Sequence, residues 1–244
     1  SPEQVNNKNR DPRRERSKKR VESQSLEPKS ASKSTELAPF GPPQKGLALG
    51  AKFYLARTDH GDKEFRGEED YWISAMEWMD SLGVRLVNTS LGYSDGFDDK
   101  KDNYTPEEMD GKTTLISRAA KIAIEEKGLF LVVSAGNEGN SPRWRLVSAP
   151  ADVQGVLSVA ANSGIGMKMN YSSLGPEFLD YVKPNVSAFS FWGTSFSAPL
   201  ITGFAACLLQ EKPSVSNQEL FQIIQKSATL YPYANNYLGY GIPD

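Results

Sequence analysis

Five consecutive large apolar residues, Leu129-Phe130-Leu131-Val132-Val133, restrict what surrounds them more than any other stretch of the chain. A strand that is apolar on both faces must be covered on both faces, the condition of a parallel sheet between two helical layers. The neighbouring segments fit that arrangement. Trp72, Ala75, Met76, Met79 and Leu82 recur at helical spacing behind Glu68, Glu69 and Asp70. Those acids suit the positive end of a helix, and Gly83 is a natural stop. Residues 84–89 read as strand, 115–127 as a helix closed by Gly128, and 156–160 as another strand. Upstream, the short apolar run at 51–56 is expected to form a buried strand. Such alternation specifies right-handed βαβ units and a mainly parallel sheet flanked by helices, an α/β fold of three layers. Residues 195–210 are apolar or small throughout and are expected as a buried helix with Pro199 near its first turn. Ser216-Asn217-Gln218-Glu219 has the pattern of a capping box opening a further helix to about residue 227.

Charge divides the 244 residues unevenly. Residues 1–35 hold ten Lys or Arg against five Asp or Glu, which leaves 18 of the 28 basic and 25 of the 30 acidic residues for the remainder. The first 45 residues have almost no aliphatic side chains and are expected to be a disordered basic tail, because they bury too little apolar surface to offset ordering. The run Arg13-Arg14-Glu15-Arg16-Ser17-Lys18-Lys19-Arg20 has the composition of a nucleic-acid contact, but a solvated tail is the commoner meaning. The body, from 46 to 244, is acidic and carries no nucleic-acid motif. The single cysteine, Cys207, excludes a disulfide framework, and its place in an apolar helix predicts an inert core thiol. No apolar run reaches membrane-spanning length.

Two polar clusters fall at the carboxyl ends of predicted strands, where open α/β sheets gather their chemistry. They are Asn88-Thr89-Ser90-Leu91-Gly92 and Ser134-Ala135-Gly136-Asn137-Glu138-Gly139. A third segment, Gly193-Thr194-Ser195-Phe196-Ser197-Ala198-Pro199, opens the long helix. A serine there has its hydroxyl in the field of the helix's positive end, among small neighbours that admit a substrate backbone. That placement suits a nucleophile, although a lone Thr-Ser pair there reads more simply as an ordinary small-residue helix start.

This last segment resembles the Gly-Thr-Ser-x-Ser-Ala/Pro-Pro signature around the nucleophile of subtilisin-like serine peptidases, the subtilases. Other segments agree in order. Ser134-Ala135-Gly136-Asn137 is similar to the family's oxyanion-hole strand end, and Ser90-Leu91-Gly92 to the strand that pairs with substrate backbone. Ser148-Ala149-Pro150-Ala151 is similar to the proline-containing loop beside the specificity pocket, and Gly239-Tyr240-Gly241 to the closing turn. The resemblance runs from about Gly46 to Asp244. It implies a subtilisin-like fold incomplete at its N-terminal side, and serine endopeptidase activity by family. Ser195 is the implied nucleophile and Asn137 the oxyanion donor, with Ser90, Leu91, Gly92, Ser134, Ala135 and Gly136 as substrate-binding positions. It further implies a polypeptide substrate, a secreted or extracytoplasmic setting, a monomer without membrane or nucleic-acid partners, and no cofactor. Subtilases often bind calcium, but the spacing of Asp95, Asp98, Asp99 and Asp102 fits no calcium loop and is read as an exposed acidic turn.

Two departures stand out. The family's triad needs a histidine base and an orienting aspartate. His60 is the sole histidine. It is followed by Gly61-Asp62-Lys63-Glu64, a surface-loop composition, and it falls one element too late in the chain. No strand ending in Asp-Ser-Gly or Asp-Thr-Gly precedes it. In addition, Lys183-Pro184-Asn185-Val186 carries Asn185 where the family has an acid, and the connection from Ala188 to Gly193 is short. The chain is therefore expected to be inactive alone. The alternative role is a non-catalytic pseudo-peptidase that binds peptides.

Overall fold

The computed structural model describes residues 46–244; the basic segment, and every expectation placed on it, lies outside the described residues. Four strands form a parallel sheet in the order β1-β2-β3-β4: β1 (Leu86–Thr89), β2 (Phe130–Ser134), β3 (Leu157–Asn162) and β4 (Val186–Phe189). The helices are α1 (Gly67–Ser81), α2 (Leu115–Glu125), α3 (Thr194–Glu211) and α4 (Asn217–Lys226).

Alternation along β2 explains the layering. Leu131 and Val133 face a core built with Trp72, Met76 and Met79 of α1 and Ile116 and Ala120 of α2. Phe130 and Val132 face the opposite core, with Leu157, Val159, Ala198, Ile201, Leu220 and Ile224. Successive side chains of a strand point to opposite faces, so one fully buried strand seats both helical layers. Start and stop signals act as the residues dictate. Thr114 accepts from the Ser117 N–H at the start of α2, Ser216 accepts from the Glu219 N–H at the start of α4, and Gly83 and Gly128 take left-handed φ values of 71° and 68° after α1 and α2.

Three expectations fail. Residues 51–56 are extended but pair with no strand, and Phe53 and Leu55 are 61% and 72% exposed. β1 is the edge strand, and nothing among the described residues lies in a ladder beside it. The long helix is buried along only one stripe, through Thr194, Ser197, Ala198, Ile201 and Ala205, while Phe196 and Leu200 are exposed. Composition could not reveal this, because an apolar residue on a helix does not say which side has a neighbour. Cys207 lies off the buried stripe and is exposed, with its thiol 3.8 Å from the Leu47 carbonyl. We expect a maleimide to label Cys207 stoichiometrically in the native protein; labelling only after denaturation would refute the exposed placement. β4 had no periodicity signal of its own. In the sequence 95–104, Asp99 caps the 3₁₀ segment Lys100–Asp102; Asp98 and Asp99 are exposed and Asp95 and Asp102 partly so, while Phe97 and Tyr104 are buried in the core. No helix is long and apolar enough to cross a membrane among the described residues.

Candidate active site

Asn137 and the start of α3 meet at the carboxyl edge of the sheet. The Thr194 backbone N–H donates to Asn137 Oδ1 at 2.9 Å. The Thr194 hydroxyl lies 3.1 Å from the same oxygen and 3.2 Å from the Gly136 carbonyl, and accepts from the Gly136 N–H at 3.1 Å. Only an oxygen can accept from the Thr194 amide, which fixes the orientation of the Asn137 carboxamide. Its Nδ2 donates to no group among the described residues. Ser190 Oγ receives the N–H groups of Trp192 and Gly193 at 3.1 and 3.2 Å, so the short connection still delivers the chain to a helix start at Thr194.

Ser195 is half-buried, one residue inside α3. Its hydroxyl donates to the Ser90 carbonyl at 3.3 Å, and the Ser90 hydroxyl donates back to the Ser195 carbonyl at 3.1 Å. The helix start is thereby tied to the segment leaving β1. That segment is itself held close to the 148–151 loop. Tyr93 and Ala149 exchange N–H···O bonds of 2.9 and 3.0 Å, and a Cβ on Gly92 would lie 2.7 Å from Ser148 Cβ. Gly136 has φ of 109°, and a Cβ there would lie 2.8 Å from Ser173 Oγ, so the turn into Asn137 requires glycine. Ser134 and Ala135 are buried. They end the strand and hold its turn, and only Gly136 and Asn137 reach the partly open surface.

His60 is elsewhere in its chemistry. The ring stacks on Tyr71 at 5.5 Å between centroids and meets Phe65 edge-on at 5.3 Å. No imidazole contacts Ser195 among the described residues, and the acceptor for its hydroxyl is a peptide carbonyl.

Several charged groups near the site were not anticipated. Glu68 and Glu69 are 1% and 0% exposed despite standing in the first turn of α1. Glu68 Oε1 accepts from the His60 N–H at 2.7 Å, and Glu69 accepts from the Tyr104 hydroxyl at 2.7 Å and the Ile116 N–H at 2.9 Å. Burial raises the Glu69 carboxyl above its ordinary range, with these donors and Arg66 opposing it. The signal was present: residues 68, 69, 72, 75, 76 and 79 form one continuous helical stripe, with the two acids included. Deeper in the fold, Lys183 Nζ donates to the Val156 carbonyl at 2.7 Å and Asn185 Oδ1 at 3.1 Å. Asn185 also accepts from the Ser158 N–H at 2.9 Å and donates Nδ2 to the Val182 carbonyl at 3.0 Å. An aspartate has no proton for that last bond, which accounts physically for the amide at this position. No group of side chains suited to hold a metal ion occurs among the described residues.

The fold is a three-layer α/β architecture in which a serine at a helix start and an asparagine at a strand end meet at the carboxyl edge of the sheet. The sequence pattern of the subtilase family matches residues 31–241, and the chain belongs to that family. It is 27% identical over 205 residues to subtilisin NAT of Bacillus subtilis subsp. natto, covering 80% of this chain and 48% of that protein. With the subtilisin of Bacillus pumilus it is 27% identical over 206 residues, covering 81% of this chain and 67% of that protein. The chain thus spans about half the length of most of the Bacillus subtilis relatives that it matches. Among solved structures, the self-cleaved protease domain of PatA superposes with a TM-score of 0.63 at 21% identity, over 84% of this chain and 76% of that one. MycP1 from Mycobacterium smegmatis gives a TM-score of 0.55 at 22% identity, over 73% and 53%. These likenesses confirm the subtilisin-like α/β fold.

Proposed function

We propose that residues 46–244 form the nucleophile-bearing part of a serine endopeptidase domain acting on polypeptides. Ser195 is its nucleophile, and Asn137 Nδ2 and the Ser195 backbone N–H are its oxyanion donors. The observation that carries this reading is the docking of Asn137 on Thr194. It seats Asn137 against the residue that precedes the half-buried Ser195 at the positive end of α3, with Nδ2 donating to no group among the described residues. Ser90, Leu91, Gly92 and Gly136 border the approach and would receive the substrate backbone. Family membership supports an extracytoplasmic setting.

Acyl transfer also needs a proton acceptor for the serine. The only histidine of the sequence is stacked against Tyr71 and Phe65, and the Ser195 hydroxyl is spent on a carbonyl. The chain alone is therefore expected to show negligible proteolysis. A fluorophosphonate probe should label Ser195 at least about 10³-fold more slowly than it labels a complete subtilase, the scale of losing a general base. Labelling at the rate of the complete enzyme would refute this, and labelling unaffected by Ser195→Ala would remove Ser195 from its role.

A second reading, a pseudo-peptidase that binds peptides without cleaving them, is favoured by a serine hydroxyl that meets a peptide carbonyl and no imidazole among the described residues. Peptide binding that survives Ser195→Ala would support it.

A further inference from the structure

Both halves of the site are fastened to one residue that belongs to neither. Tyr171 lies in the segment after β3, and that segment is tied to the strand end. The Met169 N–H donates to the Ala161 carbonyl at 3.0 Å, and the Ala161 N–H donates to Ser172 Oγ at 3.0 Å. The turn that carries Asn137 rests on the same segment. There the Gly139 N–H donates to the Tyr171 carbonyl at 2.7 Å, the Ser173 N–H to the Gly136 carbonyl at 3.1 Å, and the Glu138 N–H to Ser173 Oγ at 3.2 Å. A Cβ on Gly139 would overlap the Ser172 carbonyl oxygen, so only glycine permits so close an approach.

From this anchored place the Tyr171 hydroxyl reaches the other half of the site and donates to the Ser190 carbonyl at 2.8 Å. That carbonyl accepts no other bond among the described residues. Ser190 is buried, and its N–H donates to the Asn162 carbonyl at 3.1 Å while its Oγ receives the Trp192 and Gly193 N–H groups. Only residues 190–193 separate β4 from α3, and the next amide, that of Thr194, is the one docked on Asn137. A shift of the chain at Ser190 therefore has few bonds over which to decay before it reaches Ser195. Tyr171 holds the asparagine turn by its main chain and the serine connection by its side chain.

We propose that Tyr171 is a positioning residue of this site. Its hydroxyl, acting through Ser190, sets the first turn of α3 against Asn137, and so fixes Ser195 relative to the oxyanion donors. The inference rests on the reading of Ser195 as nucleophile and adds a residue outside every motif that carries that reading. Oxyanion donors act only within about 2.7–3.1 Å of the developing charge, and a misplacement of about 1 Å can cost about 10²-fold in rate. A smaller shift of the serine turn on loss of one hydrogen bond is expected to cost about ten-fold.

The test compares the full chain with Tyr171→Phe, which keeps the ring and removes only the oxygen. Fluorophosphonate labelling of Ser195 reads the placement. Oγ forms a bond to phosphorus, fluoride leaves with its bonding pair, the serine proton passes to water, and the phosphoryl oxygen takes the place of the oxyanion. In Tyr171→Phe the labelling rate should fall about ten-fold while the urea midpoint stays nearly level. Amide exchange at Gly193 and Thr194 should quicken several-fold, and exchange at Ala205 within α3 should not. Ser190→Ala, which frees the Trp192 and Gly193 N–H groups, should slow labelling in the same way, and Ser190→Thr, which restores the hydroxyl, should recover most of the rate. Native labelling by Tyr171→Phe, or slowing accompanied by quickened exchange throughout α3, would leave Tyr171 a packing residue and overturn the proposal. Labelling that Ser195→Ala does not change would sink the nucleophile reading and this proposal with it. Labelling that requires Ser195 but ignores Tyr171→Phe would sink this proposal alone.

Discussion

Asp152→Ala should destabilise the fold by about 3–5 kcal/mol, the scale of removing one partner from a buried charged network. Asp152 is 0% exposed and follows the loop that packs against Tyr93. Its two oxygens accept from the Ser117 hydroxyl at 2.7 Å and the Gly111 N–H at 2.8 Å, joining the start of α2 to the turn before it. Alanine strands both donors without water, and each unsatisfied buried group costs about 1–3 kcal/mol. It also withdraws the one carboxylate whose field favours the Lys183 ammonium. Urea unfolding should show a lower midpoint at unchanged slope. Adding Lys183→Met should cost less in the Asp152→Ala background than in the native one, because the two groups share one electrostatic interaction. A loss within about 0.5 kcal/mol for Asp152→Ala would mean that the carboxyl is not buried as described.

Legibility in the sequence followed the physics of each element. β2, α1, α2 and α4 were readable because each carries a local signal: apolar residues at Leu131 and Trp72, stop glycines at Gly83 and Gly128, and a capping pattern at Ser216. The Ser195 and Asn137 segments were readable because the spacing of small residues around a serine or asparagine is unusual and occurs in family order. What failed depended on neighbours distant in sequence. Residues 51–56 have strand composition, yet a strand exists only where another strand meets it. Cys207 sits in an apolar run, yet its side of α3 has no covering layer. Glu68 and Glu69 suit the positive end of a helix, but their burial follows from Tyr104, Ile116 and Tyr93, partners set by tertiary packing. Asn185 was identified as a departure from the family pattern, but its donor bond to the Val182 carbonyl is visible only in three dimensions.

The buried pair also fixes how stability should depend on pH. Burial pushes the Lys183 amine down to about 7, with the Asp152 charge opposing the shift. A neutral amine has two N–H donors, and the site offers two acceptors, the Val156 carbonyl and Asn185 Oδ1. The third proton of an ammonium has no acceptor there. An unfolded lysine titrates near 10.4, so between about pH 7 and that value the unfolded chain holds a proton that the folded one lacks. Stability then rises with pH across this window, by at most ~1.4 kcal/mol per unit, and the contribution is lost as pH falls through 7. Asp152 has the opposite sign. Burial raises its carboxyl, so its contribution is present below the unfolded value of about 3.9 and is lost as pH rises through the folded one. The two together predict a fall in stability as pH rises through the Asp152 titration and a climb above about pH 7 as the unfolded chain alone keeps the lysine proton. Urea midpoints from pH 5 to 10 should trace that curve, and Lys183→Met should remove the alkaline climb while retaining the acid-side fall. A wild-type profile that stays level from pH 7 to 10 would show that Lys183 keeps its ordinary proton inside the fold, and would require an acceptor for it beyond Val156 and Asn185.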